Sequence, residues 1–124
     1  MKGKMDWMVI LVLVGVVGVL FWLKRSGLIS PSDAALHLKN GAAVIDVRSL
    51  SEFNSGHLTQ AISIPVDQVA SAVPQRFPDK DQVLLLYCAS GMRSGFAQRR
   101  LRGMGYANAF NLGSYARAEA LVQQ

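Results

Sequence analysis

The stretch Trp7 to Leu23, WMVILVLVGVVGVLFWL, contains no charged residue. At about 1.5 Å per residue a helix of this length rises roughly 25 Å, a little under the ~30 Å hydrocarbon layer of a bilayer. Trp7 and Trp22 lie near its two ends, where interfacial aromatics belong. Lys2 and Lys4 precede it, and Lys24 and Arg25 follow. The apolar core runs straight into FWLKRSG, with no Ala-x-Ala-like site for signal cleavage. The expectation is an uncleaved, single-pass membrane helix through residues 7–23. This divides the chain into an N-terminal unit, 1–27, of tail, transmembrane helix and short linker, and a folded domain, 28–124. Lys24 and Arg25 resist translocation, and a short tail crosses more easily than a folded domain. Both points place the domain on the cytoplasmic side of the membrane.

The net charge of +5 comes partly from these flanks and partly from RSGFAQRRLR. The flanks suit anionic head groups. The second run carries one aromatic, Phe96, and no interleaved set of stacking aromatics, so nucleic acid is not an expected partner. A lone cysteine, Cys88, excludes an internal disulfide and any cysteine-based metal cluster. No metal and no cofactor is expected.

Beyond the linker, the pattern alternates. In ISPSDAALHLKNG, Ser30 suits a helix cap, Pro31 the first turn, Asp33 a return bond to the cap and Gly41 the end. Ala35, Leu36 and Leu38 form its expected packing face. Ala42–Val47, Ala61–Pro65, Gln82–Cys88 and Asn108–Leu112 read as strands, the third being the most apolar and hence central. VDQVASAVPQRF reads as a weak helix broken near Pro74. Ser94–Met104 is a helix with Ala97, Leu101 and Met104 on one face, and SYARAEALVQQ closes the chain as another. This order predicts an α/β fold: a small parallel sheet of four to five strands with helices on both faces. Sites in such sheets form beyond the carboxyl ends of the strands, which is where Cys88 stands.

A thiol is a nucleophile only as its thiolate. The small residues of ASGMRS let successive N–H groups turn inwards as an anion nest. The helix starting near Ser94 aims its positive end at the same place, and Arg93 adds a formal charge. A buried structural cysteine is the alternative reading.

YCASGMRS resembles the active-site loop of the rhodanese domain, the family of sulfurtransferases. VIDVRSLSEFNSGHLTQAISIP is similar to that family's Asp-x-Arg, Glu-Phe, Gly-His and Ile-Pro stretch, and NLGS to its late Gly-Gly turn. The likeness runs from about Ile29 to Ser114. Four residues separate Cys88 from Arg93, the sulfurtransferase spacing; relatives acting on phosphate or arsenate have five. The resemblance implies a rhodanese-like fold and a ping-pong reaction. Cys88 would take sulfur from a small anionic donor such as thiosulfate and, as a persulfide, pass it to cyanide or to a thiol, small molecule or protein. Cys88 and Arg93 are the expected catalytic residues. Ala89, Ser90, Gly91, Met92 and Ser94 are expected to bind substrate through the loop backbone and side chains. The alternatives are a catalytically silent binding module at the membrane, or a phosphatase or arsenate reductase.

Asp46, Arg48 and Glu52 match the family's motif and are expected to be structural, Arg48 and Glu52 as an i,i+4 ion pair. His57 is expected to be a hydrogen-bonded structural residue, His37 a surface residue, and Arg99, Arg100 and Arg102 a solvated face. Gln60, Ser63, Ser114 and Ala118 depart from the family's pattern, which bears on local turns and on C-terminal packing.

Overall fold

The computed structural model describes residues 6–25 and 27–123, with the side chains of residues 22–25 left aside. The positions assigned to Lys2 and Lys4, and to the side chains of Trp22, Lys24 and Arg25, lie outside the described residues. A first helix, α1, spans Trp7–Arg25. Its apolar side chains are exposed on every side, among them Trp7, Met8, Leu11, Val14 and Leu20. Among the described residues no helix is long and apolar enough to cross a membrane. This corrects the expectation of a single-pass segment over residues 7–23. The uncharged run rises a few ångströms less than a ~30 Å hydrocarbon layer, and α1 ends on two basic residues.

The rest is an α/β domain around four parallel strands. These are β1 (Ala43–Asp46), β2 (Ala61–Ser63), β3 (Leu84–Cys88) and β4 (Ala109–Ser114), in the spatial order β2-β1-β3-β4. All five residues of β3 are buried. They alternate between two cores, as strand geometry demands. Leu84, Leu86 and Cys88 join the core under α4 (Val69–Arg76) and α5 (Met92–Gly103), with Val69, Val73, Ala97 and Leu101. Leu85 and Tyr87 join the core under α2 (Pro31–Lys39) and α6 (Tyr115–Val122), with Ala34, Ala118 and Leu121. The sheet is thus covered on both faces, as expected, and has four strands.

Some local details differ from expectation. The Ser30 hydroxyl accepts from the Asp33 N–H at 3.2 Å, but the reciprocal capping box forms elsewhere, between Ser49 and Glu52 at the start of α3 (Leu50–Asn54). In α2 the packed stripe is Ala34 with Leu38, while Ala35 and Leu36 face solvent. Residues four apart share a face and those two apart do not. Helix α4 runs through Pro74, following a 3₁₀ turn at Val66–Gln68. A proline there removes one bond near the helix end, and the helix stops two residues later. His37 is half-buried and stacks on Phe110, with ring centroids 5.1 Å apart. Arg102 does not only face solvent: its Nε donates to the Ala109 carbonyl at 2.9 Å. Of the positions that depart from the family pattern, Ala118 is fully buried and the Ser114 hydroxyl caps α6 through the Arg117 N–H. Among the described residues the buried Ser63 hydroxyl has no hydrogen-bond partner.

The segment before α2 is fastened to the sheet. Leu28 pairs in parallel with Asn111 on the outer side of β4. The Ile29 N–H donates to the Asn111 carbonyl at 3.0 Å, and Gln98 Nε2 donates to the Gly27 carbonyl at 3.2 Å. Strand β4 carries an irregularity opposite Leu86 and Tyr87, where pairing passes from Asn111 to Gly113. The extra residue, Leu112, turns to the α2–α6 core, and Asn111 to the α5 side.

Candidate active site

Strand β3 delivers Cys88 to the carboxyl edge of the sheet, and the loop Ala89–Gly91 folds over it. Gly91 turns the chain with φ +94°, a conformation that glycine adopts without strain. A Cβ there would sit 3.3 Å from the Gly113 Cα. The tight turn starts α5 at Met92, two residues earlier than expected.

The Cys88 side chain is fully buried. Its Sγ accepts the Gly91 N–H at 2.9 Å and lies 3.4 Å from Ser94 Oγ. Burial alone pushes the thiol pKa up. The Ser94 hydroxyl and the N–H groups of Ser94, Gly91 and Ser90 pull it down and prevail, so the thiol ionises below its ordinary range. Of the loop residues expected to bind substrate, Ser90, Gly91 and Ser94 have donors directed at the Cys88 sulfur. The Met92 N–H instead faces Ser90 Oγ at 3.4 Å. The Ala89 and Met92 side chains are exposed at the rim.

Arg93 stands beside the thiol, and the Cys88 charge helps to raise its pKa after the larger effect of Glu52. Its guanidinium grips Glu52 with two bonds, Nη1 to Oε1 at 2.7 Å and Nη2 to Oε2 at 3.0 Å. Arg93 and the Ser49 N–H hold the Glu52 carboxyl down at about 2. This overturns the expected Arg48–Glu52 pair. Arg48 precedes the helix, so the i,i+4 relation does not apply. It folds back on buried Asp46, with Nη2 2.7 Å from Oδ2, and donates to the Gly56 carbonyl at 2.6 Å. Asp46 and Arg48 are structural, as expected. So is His57, whose Nδ1 lies 2.7 Å from the Phe53 carbonyl with its ring stacked on Phe53.

The sequence reading missed Asn111. Its buried amide accepts from Ser94 Oγ at 2.7 Å and from the Gly113 N–H at 2.8 Å, and donates to the Gly91 carbonyl at 3.1 Å. Its only signal was its place in NLGS. The Ser94 hydroxyl has one proton, so it donates either to Asn111 or to the sulfur, not to both. As the thiol ionises, that proton can turn to the thiolate. Ser94→Ala removes this donor. It is expected to shift the pH midpoint of Cys88 alkylation upward and slow the reaction several-fold at neutral pH, as read by iodoacetamide kinetics.

Among the described residues no group of three or more His, Cys, Asp or Glu side chains is placed to hold a metal. The arrangement is a buried, activated thiol under a loop of donors, with one cation at its mouth.

The thiosulfate sulfurtransferase PspE of Escherichia coli is 36% identical over 69 residues, covering 56% of this chain and 66% of that protein. A solved E. coli rhodanese with anions superposes with a TM-score of 0.60 at 32% identity, over 62% of this chain and 91% of that one. The human single-domain sulfurtransferase TSTD1 gives a TM-score of 0.65 at 29% identity, over 76% and 96%. The chain spans between 20% and 66% of the first curated relatives it matches. The family model for the rhodanese-like domain matches residues 30–118, which takes in the sheet, the loop and the start of α6, and the chain belongs to that family.

Proposed function

We propose that this chain is a sulfurtransferase with Cys88 as its sulfur carrier. The carrying observation is the Cys88 thiol at the end of β3, with the Gly91 N–H and the Ser94 hydroxyl directed at Sγ. The Cys88 thiolate attacks the outer sulfur of a donor such as thiosulfate. The donor S–S bond breaks, sulfite leaves with the electron pair, and Cys88 becomes a persulfide. The new S–S bond, about 2.05 Å long, carries the transferable sulfur outwards from the buried Sγ. There the loop N–H groups act as preformed donors for its negative charge. A thiolate or cyanide then attacks the outer sulfur, and Cys88 leaves as a thiolate. Arg93, held by Glu52, steers the anions. With one cysteine in the chain, the acceptor is another molecule. The names of the relatives support this reading.

We further propose that α1 holds the domain at a membrane, on the cytoplasmic side. The support is its apolar exposure and the Lys24–Arg25 pair at its end.

The test is the intact mass of the full chain before and after thiosulfate. A gain of one sulfur atom, lost again on adding cyanide, is expected. A folded protein that gains no sulfur from thiosulfate or from a persulfide donor would reject the assignment.

A further inference from the structure

Beside the loop lies an open groove of about 400 Å³ lined by Val66, Asp67, Met92, Arg93 and Phe96. Its size falls within the range of small-molecule sites. Met92 is 80% exposed and Phe96 is 55% exposed. Large apolar side chains left open side by side mark a binding surface more often than chance. They stand one helical turn apart at the start of α5, on the same face.

Arg93 belongs to both places, lining the groove and standing beside Cys88. Thiosulfate is small and polar throughout, so it has no use for such a groove. The second half-reaction has a different requirement, because its acceptor brings a thiolate attached to an organic body. Asp67 lies at the groove with no hydrogen-bond or ion-pair partner among the described residues. Its carboxylate repels an acceptor that carries one of its own.

We infer that this groove is the acceptor subsite, and that it selects an apolar, uncarboxylated thiol, whose thiolate meets Arg93 and whose body packs on Phe96 and Met92. This rests on the sulfurtransferase reading. The acceptor thiolate attacks the outer persulfide sulfur, the Cys88 S–S bond breaks, and the product is the acceptor's persulfide, so no oxidant or reductant is needed.

The test uses the full chain, with 2-phenylethanethiol and 3-mercaptopropionate as acceptors compared at equal thiolate concentration. In ping-pong kinetics kcat/KM for the donor is independent of the acceptor step, which separates the two halves. Wild type is expected to prefer 2-phenylethanethiol. Phe96→Ala is expected to lower kcat/KM for that acceptor about tenfold, the scale set by burying most of an aromatic ring. It should leave 3-mercaptopropionate and thiosulfate within twofold of wild type, and Phe96→Leu should restore most of the loss. A wild type indifferent to the two thiols would overturn the inference and leave the groove to another occupant, such as a protein. An equal fall for both thiols in Phe96→Ala would also overturn it. Absence of a persulfide after thiosulfate or a persulfide donor, seen before any acceptor is added, would instead reject the underlying sulfurtransferase reading, and the inference with it.

Discussion

Replacing Cys88 by serine is expected to abolish sulfur transfer while leaving the fold in place. A hydroxyl at this position is a far weaker nucleophile than a thiolate and forms no persulfide. Loss of a nucleophile of this kind lowers turnover by about a thousandfold or more. The fold should survive because the serine oxygen fits the sulfur's place and finds partners there, the Gly91 N–H and the Ser94 hydroxyl. Some loss is still expected, since Sγ packs in an apolar core with Leu86 and Ala97. Burying a hydroxyl in such a place costs about 1–2 kcal/mol when its hydrogen bonds are imperfect. Thermal unfolding and intact mass on the same sample separate the two effects. Sulfur uptake by the folded variant would show that Cys88 is not the carrier.

Replacing Asn111 is expected to cost more stability than any other single change at the loop. Asn111→Ala deprives the Gly113 N–H, the Gly91 carbonyl and the Ser94 hydroxyl of their partner together. Each buried polar group left without a bond costs about 1–3 kcal/mol. Partial relief by water brings the expected loss to about 3 kcal/mol, measured by denaturant unfolding. Asn111→Asp separates positioning from stability. It keeps the acceptor for Gly113 and Ser94, loses the donor to Gly91 and adds a negative charge near the sulfur. A like charge favours the neutral thiol, so the alkylation midpoint should move to higher pH. If Asn111→Asp leaves the alkylation profile unchanged, Asn111 is a structural residue only.

Much of the fold could be read because apolar runs and helix punctuation are local signals. LLLYC read as a central strand because five apolar residues in succession leave no side suited to solvent. The loop was legible for the same reason: Cys88, the small residues and the helix start are contiguous. The misses at the site involve partners distant in sequence. Glu52 is 41 residues from Arg93, and spacing along the chain assigned it to Arg48 instead. Asn111 is 17 residues from Ser94, and only the pairing of β4 with β3 brings it to the loop. The burial of Ala34 rather than Leu36 depended on how α2 is rotated against the sheet, which both helical stripes permitted.

The seam between Leu28 and Asn111 bears on where this domain begins. The family match starts at residue 30, yet residues 27–29 lie along the outer side of β4. An outer strand offers a row of unpaired N–H and C=O groups, a template on which another chain can add. Leu28 and Ile29 occupy that row, and Gln98 fastens them from the helix above. A cut at the family boundary would uncover the backbone of Asn111, the same residue that holds the Cys88 loop. A fragment trimmed at residue 30 should therefore associate with itself and lose thiol reactivity together, whereas one that keeps Gly27 should do neither.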